Sequence, residues 1–106
     1  MVRDDIHILS IEEINERLEK LPGWDYKDNK ISKEFKFPGF LEVVDFLVKI
    51  APFFEKNDHH PDIKINYSKV LFELTRWDLD GKVTDMDFIT AIEIERVFKE
   101  ISKPEA

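Results

Sequence analysis

Two histidines stand side by side at His59 and His60, with Pro61 directly after them and Glu55 four residues before the first. Imidazole titrates near neutrality, so it can both give and take a proton at working pH. Pro61 restricts the backbone that carries the pair, which helps to aim it. The chemistry this suggests is proton transfer on a bound organic molecule. Two other readings of the same residues stay open. One is a pair of solvent-facing loop histidines. The other is a metal site, for which Glu55, Asp58, His59 and His60 offer oxygen and nitrogen ligands. Adjacent histidines seldom both reach one ion, and His7 belongs to the N-terminal lead-in over residues 1–9.

The elements that must position the pair can be read from hydropathy. Ser10 and Glu13 form a capping box, and Ile11, Ile14, Leu18 and Leu21 follow at helical spacing. Leu21-Pro22-Gly23 ends that first helix. A short strand at Trp24–Tyr26, a turn at Asp28-Asn29 and an alternating run with Ile31, Phe35 and Phe37 on one side predict a hairpin. From Phe40 to Phe54 the chain is apolar almost all round, interrupted by Glu42, Asp45 and Lys49 on one narrow stripe. Such a helix wants covering on more than one side. Pro52 is expected to kink or end it, and residues 55–61 to form a polar connection. Ile63–Tyr67 and Val70–Trp77 read as two strands, with Trp77 on the face of Glu73 and Thr75. A turn over residues 78–83 leads to a second capping box, Thr84 with Asp87. Phe88, Ala91, Ile92, Ile94, Val97, Phe98 and Ile101 then form the apolar face of a last helix, and residues 102–106 are expected to fray.

This is an α+β fold: a four-stranded antiparallel sheet with three helices packed on one face, in the order α-β-β-α-β-β-α. The 106 residues allow one domain, 1–106. The absence of cysteine excludes a disulfide scaffold, a Cys-type zinc site and a thiol nucleophile. With 16 basic against 23 acidic residues and a formal charge of -7, the chain is a poor ligand for nucleic acid. No stretch is apolar enough for a membrane span, and Met1-Val-Arg-Asp-Asp-Ile has no signal core. The expectation is a soluble cytoplasmic protein. Glutamine is also absent while Lys, Glu and Ile are plentiful, a bias seen in thermophile proteins. No G-x-S-x-G elbow or phosphate loop is present.

From about Leu9 to Ile101 the chain resembles the pterin-4a-carbinolamine dehydratases, also called 4a-hydroxytetrahydrobiopterin dehydratases. Leu21-Pro22-Gly23-Trp24 and Ile31-Ser32-Lys33-Glu34-Phe35-Lys36-Phe37 resemble that family's opening stretch, and Phe40, Phe46, Ile50-Ala51 and Glu55 its central helix. The specific part is an acid at Glu55, three residues, then His59-His60-Pro61, with Tyr67 six residues after Pro61, Trp77 ten after Tyr67, and Asp87. Departures are Trp77 where well-studied members carry a third histidine, Ile63 where an aromatic is frequent, an extra residue around Gly81-Lys82-Val83, and Pro52 within the helix.

The resemblance implies a hydro-lyase acting on a pterin that carries a hydroxyl on C4a and a proton on N5. Loss of water gives the quinonoid dihydropterin and serves tetrahydropterin recycling and tetrahydrobiopterin biosynthesis. No metal or organic cofactor is needed. By matching position, His59 is the main proton-transfer residue, and His60 hydrogen-bonds the pterin and shares the acid-base work. Glu55 orients an imidazole, Pro61 and Asp87 support the pocket, and Trp77 stacks on the ring or donates one hydrogen bond. The family's dimers pair into tetramers through helices, which implies a homo-oligomer here and fits the apolar helix at Phe40–Phe54. Two alternatives come with the resemblance: a catalytically weakened pterin-binding or protein-binding regulatory module, since some members bind a homeodomain transcription factor, and a role in molybdopterin metabolism.

Overall fold

Alternation of apolar and charged residues builds the two central strands, and two-residue turns set their partners. The structure, a computed structural model, describes residues 7–102. The elements are α1 (Ile11–Glu19), β1 (Asp25–Lys27), β2 (Lys30–Lys36), α2 (Phe40–Asn57), β3 (Asp62–Asn66), β4 (Lys69–Leu74), a 3-10 helix (Trp77–Leu79) and α3 (Asp85–Ser102). All strand pairs are antiparallel, in the order β1-β2-β4-β3. Asp28 and Asn29 both have positive φ, 54° and 64°, as a two-residue hairpin turn of the primed type requires. The predicted architecture is therefore the one found.

One core joins the inner sheet face to all three helices. Ile31, Phe35, Val70, Phe72 and Leu74 from the sheet meet Ile14 of α1, Val43, Phe46, Ile50 and Phe54 of α2, and Phe88, Ala91, Ile94 and Val97 of α3. The phenylalanines pack edge-on or tilted, with Phe35 and Phe98 centroids 4.8 Å apart and Phe35 and Phe72 5.8 Å apart. On the far side of α2, Leu41, Val44 and Val48 stay exposed. The sheet thus covers one side of this helix, and nothing among the described residues covers the Leu41, Val44 and Val48 side. No helix among the described residues is long and apolar enough to cross a membrane.

Four expectations need correction. Pro52 does not end α2, which continues to Asn57. The ring sits on the exposed side, and Phe54, buried beyond it, anchors the last turns to the core. Glu55 to Asn57 therefore belong to the helix, not to a connection. β4 stops at Leu74, so Trp77 is not a strand residue. The Thr75 hydroxyl donates to the Asn29 carbonyl at 2.7 Å, and the Arg76 amide donates to the Lys82 carbonyl at 3.0 Å. Both draw the chain out of the ladder. Finally, residues 7–9 are more than a lead-in: the Leu9 amide donates to the Val83 carbonyl and the Asp85 amide to the His7 carbonyl, which fastens them to the start of α3. Residues 1–6 and 103–106, which include most of the expected fraying tail, lie outside the described residues.

Candidate active site

The end of α2 decides where the two histidines go. Asp58 caps the helix in the left-handed region (φ 48°, ψ 46°), a conformation aspartate tolerates better than most residues. Its amide turns back to the Glu55 and Phe54 carbonyls, and the His59 amide donates to Phe54 at 3.1 Å. The reversal drives the His59 ring inward, where it is only 4% exposed. There its Nε2 meets Asp87 Oδ1 of α3 at 2.5 Å. A carboxylate can only accept, so in the neutral ring Nε2 carries the hydrogen and Nδ1 is left as the acceptor.

Asp87 has two tasks. Its Oδ2 accepts the Thr84 amide at 2.8 Å and the Thr84 hydroxyl at 3.4 Å, which ties down the start of α3. This is one half of the predicted capping box. In the other direction the Asp87 amide reaches the Thr84 backbone carbonyl, at 3.1 Å, rather than its hydroxyl. The side chain is fully buried. Its position is set by three donors at once, which is how a buried carboxylate becomes tolerable.

His60 faces outward. It is 52% exposed and pairs through Nε2 with Glu55 Oε1 at 2.8 Å, five residues back on the last turn of α2. Beside the histidine turn lies the loop after β4. Arg76 grips both carboxylate oxygens of Asp78, at 2.9 Å and 2.7 Å. That guanidinium holds the Asp78 carboxyl below the usual range, with a smaller contribution from His59. Arg76 in turn is raised above its ordinary value, first by Asp78 and then by Asp87 and Asp58. Trp77, between the two, is 56% exposed, with Lys30 Nζ 5.7 Å from its ring centroid. Two clefts of about 410 and 450 Å³ between α1 and α3 share Lys20, Leu21 and Ile92 and include neither histidine.

Comparison with known proteins bears on this arrangement. The sequence model for pterin 4 alpha carbinolamine dehydratase matches residues 7–97. The chain belongs to that family. A protein of Prochlorococcus marinus (strain AS9601), named "Putative pterin-4-alpha-carbinolamine dehydratase", is 41% identical over 92 residues, which is 87% of this chain and 95% of that one. A protein of the same name from Sulfolobus acidocaldarius is 42% identical over 85 residues, 80% of this chain and 92% of that one. A solved structure from Brucella melitensis, described as a transcriptional coactivator/pterin dehydratase, superposes with a TM-score of 0.80 at 32% identity and covers 86% of this chain and 98% of that one. A pterin dehydratase-like protein described as a RuBisCO assembly factor shares the fold at a TM-score of 0.57 and 20% identity, covering 70% of this chain and 84% of that one.

Within this dehydratase-family chain the structure joins His59 to Asp87 and His60 to Glu55, as two separate pairs. It does not gather Glu55, Asp58, His59 and His60 around one point, and among the described residues no three His, Cys, Asp or Glu side chains are placed to hold a metal ion. Pro61 is half-buried and starts the chain into β3. Tyr67 occupies the β3–β4 turn at φ 56°. Sequence reasoning missed Arg76 and Asp78. Opposite charges two residues apart flanking the tryptophan were a usable signal, hidden by ending β4 at Trp77, between them.

Proposed function

We propose that the protein is a cytoplasmic lyase that dehydrates 4a-hydroxytetrahydropterins to quinonoid dihydropterins, a step in recycling tetrahydropterin cofactors. The observation that carries this reading is the buried His59–Asp87 pair next to the half-exposed His60. Dehydration needs a base for the N5 proton and an acid for the departing hydroxyl. The C4a–O bond breaks, a C4a=N5 double bond forms, and the hydroxyl leaves as water. His59, held with Nε2 toward Asp87, takes the N5 proton on Nδ1. His60 protonates the leaving hydroxyl and refills its proton from solvent, with Glu55 holding its ring. Both steps are proton transfers that imidazole performs near neutrality, so the route calls on no cofactor. Trp77 offers an exposed flat face for the pterin ring, and Pro61 stiffens the turn.

The test is stopped-flow dehydration of the carbinolamine. His59→Ala should slow it by about 100-fold or more. Equal rates for variant and wild type refute the assignment.

The protein is further proposed to act as a homodimer or tetramer joined through the exposed Leu41, Val44 and Val48 stripe of α2. A second reading, a pterin-binding regulatory module, draws support from that stripe and from the coactivator description of the Brucella melitensis structure. Trp77 in the usual histidine position suits it as well.

A further inference from the structure

The segment His7–Leu9 runs beside the turn that opens α3. Ile8 and Thr84 form an antiparallel bridge. On either side of it the Leu9 amide donates to the Val83 carbonyl at 3.0 Å and the Asp85 amide to the His7 carbonyl at 3.1 Å. The His7 amide donates in turn to Asp85 Oδ1 at 3.3 Å. Leu9 anchors the segment, with its side chain buried in the common core. Asp85 is the first residue of α3, so its amide has no partner inside the helix, and the His7 carbonyl supplies one. Thr84, held between these bonds, is fully buried. Its own amide donates to Asp87 Oδ2 at 2.8 Å, and the other oxygen of that carboxylate meets His59 Nε2 at 2.5 Å.

We propose that His7–Leu9 is a positioning segment for the proton transfer assigned to His59: the His7 carbonyl and the Leu9 amide hold the backbone of residues 83–85, whose Thr84 amide sets the Asp87 carboxylate that orients the imidazole. The catalytic consequence rests on the dehydratase reading, whereas the positioning does not. A carboxylate that serves an amide and an imidazole at once depends on where the amide points, because a hydrogen bond weakens steeply as it bends. Helix ends fray when left alone. Here the first turn of α3 is bonded instead to the residues that lead into the Ser10 cap of α1.

Proline suits the first position of a helix, where its missing N–H and fixed φ cost little. Asp85→Pro therefore removes the bond to the His7 carbonyl and leaves α3 able to start. Asp85→Ala keeps that bond, loses only the side-chain acceptor, and is the reference. Two readouts are taken on the full chain, with circular dichroism showing that the fold is kept. One is kcat and KM of dehydration, and the other is the solvent-exchange rate of the His59 Nε2 hydrogen by nitrogen-15-edited NMR. Relative to Asp85→Ala, Asp85→Pro should exchange that hydrogen about fivefold to tenfold faster and lower kcat about tenfold, with KM within about twofold. A segment that contributed only stability would leave both readouts at the reference in a protein that is still folded. Given an active wild type, either readout left at the Asp85→Ala value overturns the proposal. If Asp85→Pro does not fold, Leu9→Ala against wild type carries the test: removing the anchor should move both readouts in the same directions, and unmoved values overturn the proposal. The exchange measurement needs no substrate. Faster exchange with no turnover in wild type sinks only the dehydratase reading, whereas normal turnover with unmoved exchange sinks only the role of His7–Leu9.

Discussion

Replacing Asp87 by asparagine separates its two tasks with almost no change of shape. The carboxylate accepts from His59 and from both the amide and hydroxyl of Thr84. A carboxamide has one accepting oxygen and one donating NH2. If the oxygen serves Thr84, the NH2 faces the Nε2 hydrogen of His59, and the ring must move its hydrogen to Nδ1. The atom that should accept the N5 proton is then blocked. If the oxygen serves His59, the NH2 faces the Thr84 amide and the start of α3 loses its cap. The second orientation leaves one buried polar contact unmet, at a cost of about 1–3 kcal/mol, whereas the first forces the tautomer change instead. For a chain of this size that lowers the melting temperature by roughly 5–20 °C. In the first orientation the dehydration rate should fall by about 100-fold or more. Thr84→Ala is the control: it loses the hydroxyl contact, should cost about 1 kcal/mol, and should leave the rate within a few-fold of wild type. The assays are a thermal melt followed by circular dichroism and stopped-flow turnover at one pH. An Asp87→Asn protein with a rate within threefold of wild type and an unshifted melting temperature fits neither orientation, and the proton route drawn through Nδ1 would fail.

Trp77→Ala should raise KM about threefold to tenfold by removing a stacking face while sparing kcat, and an unchanged KM removes Trp77 from the site. Trp77→His discriminates the two functional readings: a large gain in turnover marks a weakened enzyme, and no gain with wild-type activity already high marks an efficient one. Val48→Glu places a charge in the exposed α2 stripe and should give a monomer mass by light scattering at micromolar concentration, where wild type gives a dimer or tetramer. A wild-type monomer refutes the proposed assembly. Glu73 is flanked by Lys30 and Lys64, each at 3.1 Å, and their hydrogen bonds, Lys64 first, hold its carboxyl below the usual value of 4.5. A carboxyl lowered by folding contributes stability above its unfolded value and loses it as pH falls through the folded one. Glu73→Gln should therefore be less stable than wild type at neutral pH and converge with it in acid, read from urea midpoints across pH. Parallel curves would show that the two lysines contribute nothing.

Much of the fold was legible because it follows from short-range rules. Ser10 and Glu13 form the full capping box read from their spacing. Asp28-Asn29 sit at the positive φ their residue types accept, and Ile31, Phe35, Val70, Phe72 and Leu74 alternate into the core as drawn. The errors come from contacts that no local rule contains. Pro52 costs a helix hydrogen bond, but the burial of Phe54 two residues later outweighs it, so a breaker became an interior residue. β4 loses its last three expected residues because Asn29, distant in sequence, and Lys82, across the following turn, take Thr75 and Arg76 as partners in place of the ladder. Trp77 therefore lies on a loop rather than on a rigid strand.

The site shows the same division. That two adjacent histidines would part, one into the core and one to water, follows from chain alternation alone, but which goes inward does not. The left-handed cap at Asp58 makes that choice, and it brings the end of α2 against the start of α3. The start of α3 needs an acceptor for its free amide in any case, and Asp87 provides it through Oδ2. Its other oxygen is then fixed in place at no further conformational cost and is available to orient an imidazole. The structural and functional explanations of Asp87 were set against each other in the sequence, as cap or as pocket support. The geometry makes them one: the bond that ties down the helix also holds the carboxylate that fixes His59.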